Sequence, residues 1–480
     1  MNSVRRHAKQ TRRCDSRSRS VRPKPQMVFL IFVGLVLTTL VVTARPATSN
    51  SPFLPNDLPF KNPSGSHATF STTGSIDLTN EFFQELGTNG RRCDSCHRPE
   101  EGWSVTPEGL RERFQKTGGT DPVFRTNDGA DSPNADVSTV KARRKAYSML
   151  LSKGVIRVGI AIPANAEFEL IAVDDPYGFA SAAELSLFRR PLPSTNLNFL
   201  STVMWDGRET FPDQTIHFDL SDQANSAIVG HAQGQSLTDA QRERIVKFET
   251  ALFTAQIHDR DAGELTARGA KGGPVNLSNQ PFYIGINDIF GDSKTGAAFD
   301  PTVFSIYDAW KGVSGHGSDG ARAAVARGEE LFNTKLINIS GVSGINDEPA
   351  FGNPLVVKGT CTTCHDTPNS GNHSVAAPLD IGLTDVDRRT PDMPLYTLRN
   401  KTTGETRLTT DPGRALITGR WTDIGRFKGP ILRGLAARAP YFHNGSAKDF
   451  QAVVDFYDSR FGVGFTGQEK ADLIAFLRTL

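Results

Sequence analysis

Long apolar runs, cysteine and a strong excess of one charge are all scarce in this chain of 480 residues. Only one uncharged apolar stretch approaches the length of a membrane span, which excludes a protein with several spans. A composition of 38% hydrophobic and 22% charged residues excludes disorder and collagen. At roughly 100–200 residues per domain, the length indicates two or three domains.

Positive charge is concentrated at the beginning of the chain. Nine basic residues lie in the first 44 positions, and the remaining 45 basic and 51 acidic residues give the body a net charge of −6. Phosphate binding needs clustered Lys and Arg, so nucleic acid is not an expected partner.

The single long apolar run, residues 27–44, follows this basic head and ends in small residues. That order is typical of a secretory signal, and a retained membrane anchor is the alternative because 18 residues also approach the length of a spanning helix. We expect residues 1–46 to be the signal or anchor and residues 47–77 to be a flexible lead-in. In either case we expect the body to be exported to the periplasm.

Apart from Cys14 in the basic head, the cysteines form two pairs, and a histidine follows each pair directly. Cys-x-x-Cys-His is the attachment sequence of c-type haem, in which two thiols bind the porphyrin and the histidine ligates the iron. Two disulfides, a redox Cys-x-x-Cys or a four-thiolate zinc site are the alternatives, and none of them needs the histidine. The sequence therefore predicts two covalently bound haem c groups, held by Cys93, Cys96 and His97 and by Cys361, Cys364 and His365.

Helix signals dominate both halves of the chain. The two motif histidines lie 268 positions apart, so the motif is an internal repeat. Capping-box spacing at Thr238 and Gln241, and again at Thr466 and Glu469, precedes amphipathic segments. A further helix is predicted over residues 321–332. We expect a mainly α fold of two cytochrome c-like domains, residues 78–310 and 311–480, each with one covalent haem and with irregular loops between.

Other segments resemble the bacterial di-haem cytochrome c peroxidase family, which includes the related di-haem enzyme that matures tryptophan tryptophylquinone. The resemblance rests on Met204-Trp205-Asp206-Gly207-Arg208, Pro430-Ile431-Leu432-Arg433-Gly434, Ala439-Pro440-Tyr441-Phe442-His443-Asn444-Gly445 and the terminal helix. It implies that Trp205 relays electrons between the haems. It further implies hydrogen peroxide as substrate, a small electron-donor protein such as a cytochrome c, and one calcium ion; it is compatible with a homodimer.

The family places the distal ligand of its C-terminal haem fourteen residues after the histidine of the Ala-Pro-Tyr-Phe-His segment, which is His443 here. Tyr457 occupies that position here, where the peroxidases have Met and the cofactor-maturing relative has Tyr. Met393 and His373 are the rival ligands. Tyr457 as an ordinary core residue is a further interpretation.

The N-terminal haem site departs from the family pattern. The family uses a Glu after its Trp-Asp-Gly-Arg motif to move protons, but no Glu occurs from Thr210 to Arg242. His231 lies near the corresponding position and can transfer a proton, ligate the iron or be a surface residue. In addition, 108 positions separate His97 from Trp205, which indicates an insertion at about residues 107–192 without a recognisable site.

Taken together, the residues and the resemblance predict an oxidoreductase that reduces hydrogen peroxide, with Trp205 and His231 as catalytic residues. Two haems suit this reaction, because peroxide takes two electrons whereas a small cytochrome delivers one at a time. Oxidation of an organic or protein-bound substrate is the alternative that Tyr457 favours. A non-catalytic electron-transfer cytochrome is the alternative if His231 closes the first iron.

Overall fold

A computed structural model describes residues 51–480 of the chain. The predicted signal or anchor, residues 1–46, lies outside the described residues. Within residues 51–480, no helix has both the length and the apolar character needed to cross a membrane.

Helices begin where the sequence supplies caps. Both predicted capping boxes form, at Thr238 with Gln241 and at Thr466 with Glu469, and the helix predicted over residues 321–332 is part of a longer one. The α-helices of the described residues are α1 (Pro107–Thr117), α2 (Val140–Ala146), α3 (Ser148–Lys153), α4 (Ile216–Gly230), α5 (Asp239–Thr250), α6 (Pro274–Ser278), α7 (Ser318–Thr334), α8 (Ala415–Thr418), α9 (Phe450–Phe461) and α10 (Gly467–Leu477).

Strands make up more of the chain than the sequence analysis predicted. They are β1 (Phe53–Pro55), β2 (Phe60–Asn62), β3 (Gly65–Ser71), β4 (Ser75–Asp77), β5 (Ile156–Ile160), β6 (Phe168–Asp174), β7 (Leu185–Arg189), β8 (Leu252–Asp259), β9 (Gly263–Glu264), β10 (Ile337–Ile339), β11 (Val357–Gly359), β12 (Leu395–Asn400) and β13 (Thr406–Thr409). They form antiparallel sheets in the orders β1-β4, β2-β3-β8-β9, β5-β7, β13-β12-β6 and β10-β11.

The prediction of a mainly α fold is therefore wrong, since the structure is 31% helical and 17% strand. Most of the strands are three to five residues long, too short for an alternating pattern to stand out from the sequence. Two of the longer strands, β3 and β6, pair with partners distant in the chain, β8 and β12, which a local reading of propensity does not detect.

The segment predicted as a flexible lead-in contains strands over most of its length. Residues 53–77 contain β1 to β4, and β3 pairs along its whole length with β8. His67 in β3 lies with Nε2 3.1 Å from the carbonyl oxygen of Pro99, just after the first haem-attachment motif. The lead-in is thus part of the framework that supports that motif.

The predicted insertion, residues 107–192, contributes α1 to α3 and β5 to β7. Its strand β6 pairs with β12, a strand of the predicted C-terminal domain. Phe168, Tyr396 and Leu398 are fully buried beside this pairing. Residues 51–480 form one compact unit, and the division into domains at residues 310 and 311 stays a prediction.

Aromatic clusters pack behind each haem-attachment motif. Phe82 and Phe248 are 5.2 Å apart between ring centroids in the cluster beside Cys93. Phe332 and Phe476, 5.8 Å apart, belong to the cluster beside Cys361. Burial of each such side chain stabilises the fold by roughly 1.5–3 kcal/mol. Each motif therefore packs against a well-buried aromatic cluster.

Candidate functional site

The two haem-attachment motifs adopt the same local structure. Each begins with a single 3₁₀ turn, Cys93–Ser95 in one and Cys361–Thr363 in the other. In the first, the backbone N–H of Arg92 donates to Ser95 Oγ at 3.0 Å; in the second, that of Thr360 donates to Thr363 Oγ1 at 2.9 Å. The repeat in the sequence is therefore also a repeat in structure.

All four motif thiols are free and lie in apolar surroundings. Burial raises the pKa of each of them, for Cys361 and Cys364 to about 12, so the unmodified thiols are neutral. Among residues 51–480, no group of three or more His, Cys, Asp or Glu side chains could hold a metal ion. Free thiols do not match the disulfide interpretation, and the described residues do not bring four thiolates together as the zinc interpretation requires. The calcium ion that the resemblance implies stays a prediction.

Each motif histidine is held through Nδ1 by a backbone carbonyl six residues further along. His97 Nδ1 lies 3.1 Å from the oxygen of Trp103, and His365 Nδ1 lies 2.6 Å from that of Gly371. A carbonyl only accepts, so Nδ1 carries the hydrogen and Nε2 keeps its lone pair. Burial lowers the pKa of His97 to about 4 and also lowers that of His365, which keeps both rings in the neutral form that ligates metals.

A single continuous cavity connects the two motifs. Its walls contain every side chain that the sequence analysis assigned to the site: Cys93, Cys96, His97, Trp205, His231, Cys361, Cys364, His365 and Tyr457. The fold thus brings together residues that are up to 364 positions apart in the sequence, from Cys93 to Tyr457.

Trp205 is fixed at the cavity wall by its polar edge. Its Nε1–H donates to the carbonyl of Arg190 at 2.8 Å, and its ring meets that of His443 edge-on with centroids 6.2 Å apart. The next residue, Asp206, is fully buried, and Arg189 binds it at 2.5 Å. Although burial opposes ionisation, Arg189 and Arg208 lower the pKa of Asp206 to about 2.

Arg189 extends this buried ion pair to a second carboxylate. It binds Asp411 through two hydrogen bonds, 2.7 and 2.8 Å long. The loop that carries Trp205 is therefore tied to the loop after β13, and the position of the indole is determined by two distant parts of the chain.

His231 directly follows α4 and is paired with a residue of the insertion. Its Nδ1 lies 2.5 Å from Oδ2 of Asp128, whose other oxygen pairs with Arg91. Sequence reasoning assigned no role to Asp128 or Arg91. An isolated Asp in a long insertion carries no local signal, because its partner is 103 positions away.

Of the candidate ligands for the second iron, Tyr457 alone lines the cavity. Burial raises the pKa of Tyr457, which lies beside Cys361 and Cys364. Met393 is buried instead in a separate cluster with Met149, Val155 and Phe188. His373 is buried with Nδ1 3.1 Å from a carboxylate oxygen of Asp366.

Three buried cations line the same cavity without a carboxylate partner among the described residues: Lys428, Arg190 and Arg438. Burial lowers the pKa of Lys428 to about 7 and those of Arg190 and Arg438 to about 10. In addition, Nη1 of Arg438 has no hydrogen-bond partner in the described part of the chain. Unpaired buried charge is costly, so these cations fit carboxylates bound in the cavity.

No family model matches the chain. The chain is 32% identical over 143 residues to the cytochrome-c peroxidase IdrP1 of Pseudomonas sp. (strain SCT), covering 26% of this chain and 37% of the relative. It is 31% identical over 133 residues to IdrP2, a cytochrome-c peroxidase of Denitromonas iodatirespirans, covering 26% and 36%. The matches thus span little more than a third of either relative. They confirm the predicted resemblance to cytochrome c peroxidases.

Among solved structures, the chain is similar to a MauG-like protein associated with microbial copper homeostasis, with 18% identity and a TM-score of 0.38. That comparison covers 84% of this chain and 86% of the other.

Proposed function

We propose that this chain is a di-haem c-type oxidoreductase that reduces hydrogen peroxide with electrons from a small cytochrome or a similar donor protein. The main observation behind this proposal is the cavity that the two motifs share. Each motif contributes two free thiols and a histidine anchored at Nδ1. Trp205 lines that cavity too. The cytochrome-c peroxidases among the relatives support the same reaction.

The residues of the cavity fit haem. Cys93 and Cys96 would hold one group by thioether bonds with His97 as iron ligand; Cys361, Cys364 and His365 would hold the other. Lys428 and Arg438 would pair with haem carboxylates, which would remove the cost of burying their charge. When bound, the haem iron supplies the electron-transfer chemistry that protein side chains lack.

The chain's own residues would do the remaining work. His231 moves a proton at the first site, and Trp205 provides an aromatic link between the sites. Tyr457 is the proposed second ligand at the C-terminal site. The two haems held by His97 and His365 would together supply the two electrons that peroxide needs from a donor that gives one at a time.

Oxidation of an organic or protein-bound substrate is the second candidate function. Tyr457 favours it, because a phenolate ligand stabilises ferric iron, lowers the potential of the haem and makes small cytochromes poorer donors. We further propose that the protein is exported to the periplasm, on the basis of the basic head and the apolar run at residues 27–44.

The test is peroxide consumption by the purified holoprotein with a reduced cytochrome donor, measured on fully oxidised and on half-reduced protein. Catalytic turnover in either state supports the peroxidase. Absence of turnover in both states, with two haems present, contradicts it and favours the electron-transfer cytochrome.

A further inference from the structure

The insertion at residues 107–192 reaches the candidate site through the carboxylate of Asp128. This buried side chain bridges two partners from other parts of the chain. Oδ2 lies 2.5 Å from Nδ1 of His231, and Oδ1 pairs with the guanidinium of Arg91, two residues before Cys93. The three residues therefore join the insertion, the first haem-attachment motif and the end of α4.

The backbone of His231 is held by the same segments. Its carbonyl oxygen accepts hydrogen bonds from Asn89 Nδ2 at 2.8 Å and from Arg91 Nη1 at 3.2 Å. Asn127 Nδ2, from the insertion, lies 3.4 Å from it. Both the main chain and the ring of His231 are thus constrained relative to the motif.

The charge state of Asp128 determines which ring nitrogen of His231 carries the proton. Burial opposes ionisation of Asp128, but the charge of Arg91 and the hydrogen bond from His231 lower its pKa below the usual value. An ionised carboxylate only accepts hydrogen bonds, so Nδ1 must donate. In the neutral ring the lone pair then lies on Nε2.

We infer that Asp128 is a positioning residue that, together with Arg91, holds His231 in the tautomer whose Nε2 accepts a proton from an acid bound in the cavity. The inference rests on the proposed function for the identity of that acid, hydrogen peroxide. It also gives the insertion a chemical role.

The protons and electrons of the proposed peroxide reaction balance. Nε2 takes the proton from one peroxide oxygen and returns it to the other, which leaves as water when the O–O bond breaks. The remaining oxygen becomes the second water with two protons from solvent and two electrons from the one-electron donor. His231 ends each cycle in the tautomer in which it began.

The decisive variant is Asp128→Asn. Arg91 only donates, so the amide oxygen of Asn stays with the guanidinium and the amide NH₂ faces Nδ1 of His231. Nδ1 must then accept, which moves the proton to Nε2 and removes the base. We expect the peroxide reaction to slow on the order of 10²-fold, the lower end for general acid–base catalysis.

A second readout does not require turnover. Hydrogen cyanide is a neutral acid near pH 7 that loses its proton when it binds ferric haem as the anion. Its rate of binding to the oxidised holoprotein, followed by absorbance, therefore reports the same base. We expect Asp128→Asn to slow cyanide binding as well. Asp131→Asn is the matched control, because Asp131 is a buried Asp of the same insertion that binds Ser148 and the backbone of Met149.

A double-mutant cycle separates positioning from structural damage. His231→Gln and the double variant Asp128→Asn/His231→Gln should bind cyanide equally slowly, since Asp128 acts only through His231. Losses that multiply in the double variant would overturn the inference, as would wild-type rates in Asp128→Asn. The inference would also be overturned if the N-terminal haem of the wild type had two imidazole ligands and bound cyanide only after His231→Gln. In that case His231 would be an iron ligand and not a base.

The two proposals fail separately. If cyanide binding depends on Asp128 through His231 but no peroxide is consumed, the peroxidase is refuted and the positioning role stands. If peroxide is consumed equally by the wild type and by His231→Gln, the peroxidase stands and the positioning role is refuted.

Discussion

Trp205 combines a fixed indole N–H with an aromatic face at the wall of the shared cavity. If it carries electrons between the haems, Trp205→Phe should leave both haem spectra intact and lower peroxide turnover by an order of magnitude or more. Steady-state peroxide consumption with a reduced cytochrome donor measures this.

Trp421→Phe is the matched control for that substitution. Trp421 packs 6.4 Å from the ring of Phe168 and does not line the cavity. Its replacement should leave turnover unchanged. Equal turnover in the wild type and in Trp205→Phe would make Trp205 a packing residue.

Tyr457 and Met393, as alternative iron ligands, predict different redox potentials for the C-terminal haem. Tyr457 lines the cavity beside the second motif, whereas Met393 belongs to a separate apolar cluster. Loss of an anionic phenolate destabilises ferric iron, so Tyr457→Phe should raise the potential of the C-terminal haem and change its ferric spectrum. Redox titration of the holoprotein measures the shift.

Met393→Leu is the companion variant. A swap that conserves side-chain volume in a core costs less than about 1.5 kcal/mol, so this variant should fold and keep the wild-type potential. If instead the tyrosine variant is unchanged and the methionine variant loses an iron ligand, Tyr457 is a core residue and the second candidate function loses its support.

At the scale of elements, the pairing of β6 with β12 attaches the insertion to the sheet that includes β13. Leu398 in β12 is fully buried and lies opposite Leu170 of β6. Leu398→Ala should lower the free energy of unfolding by about 2–5 kcal/mol, because it removes a buried side chain and leaves a cavity. Chemical denaturation of the holoprotein measures the change.

Leu408→Ala in β13 is the control, since Leu408 is 43% exposed. It should cost much less stability than Leu398→Ala. Equal denaturation midpoints for the two variants would mean that the β6–β12 sheet does not hold the insertion in place.

The sequence predicted some of the secondary-structure elements correctly and missed others. Capping boxes at Thr238 and Thr466 are local signals, and both helices begin where predicted. The haem-attachment motifs are local signals too. Each consists of five consecutive residues, and both begin with the same 3₁₀ turn. In the lead-in and the insertion, β3 and β6 pair with strands far along the chain, β8 and β12, and most of the other strands are only two to five residues long. Neither kind of strand leaves a clear local pattern, so the mainly α prediction failed.

The same distinction holds for the candidate site. Residues within a recognisable motif, such as Trp205, were predicted from the sequence, and they line the cavity. Asp128 was not assigned a role, because its meaning depends on the contact with His231 that only the fold creates. Long-range polar contacts are therefore the part of this site that sequence patterns miss.

At the scale of the whole molecule, the central claim is that each motif holds one haem c and that both haems occupy one cavity. The claim rests on free thiols, on anchored histidines and on buried cations that have no carboxylate partner within residues 51–480, all of which line the same cavity. Haem attached through thioether bonds survives denaturation, whereas haem held only by an iron ligand is lost.

The most direct measurement is the haem content of the denatured protein, by the pyridine haemochrome spectrum per mole of chain. We predict two haems for the wild type and half of that signal when Cys361 and Cys364 are both replaced by Ala. A signal that is unchanged in the double replacement, or absent from the wild type, would contradict the assignment of the motifs and with it the proposed function.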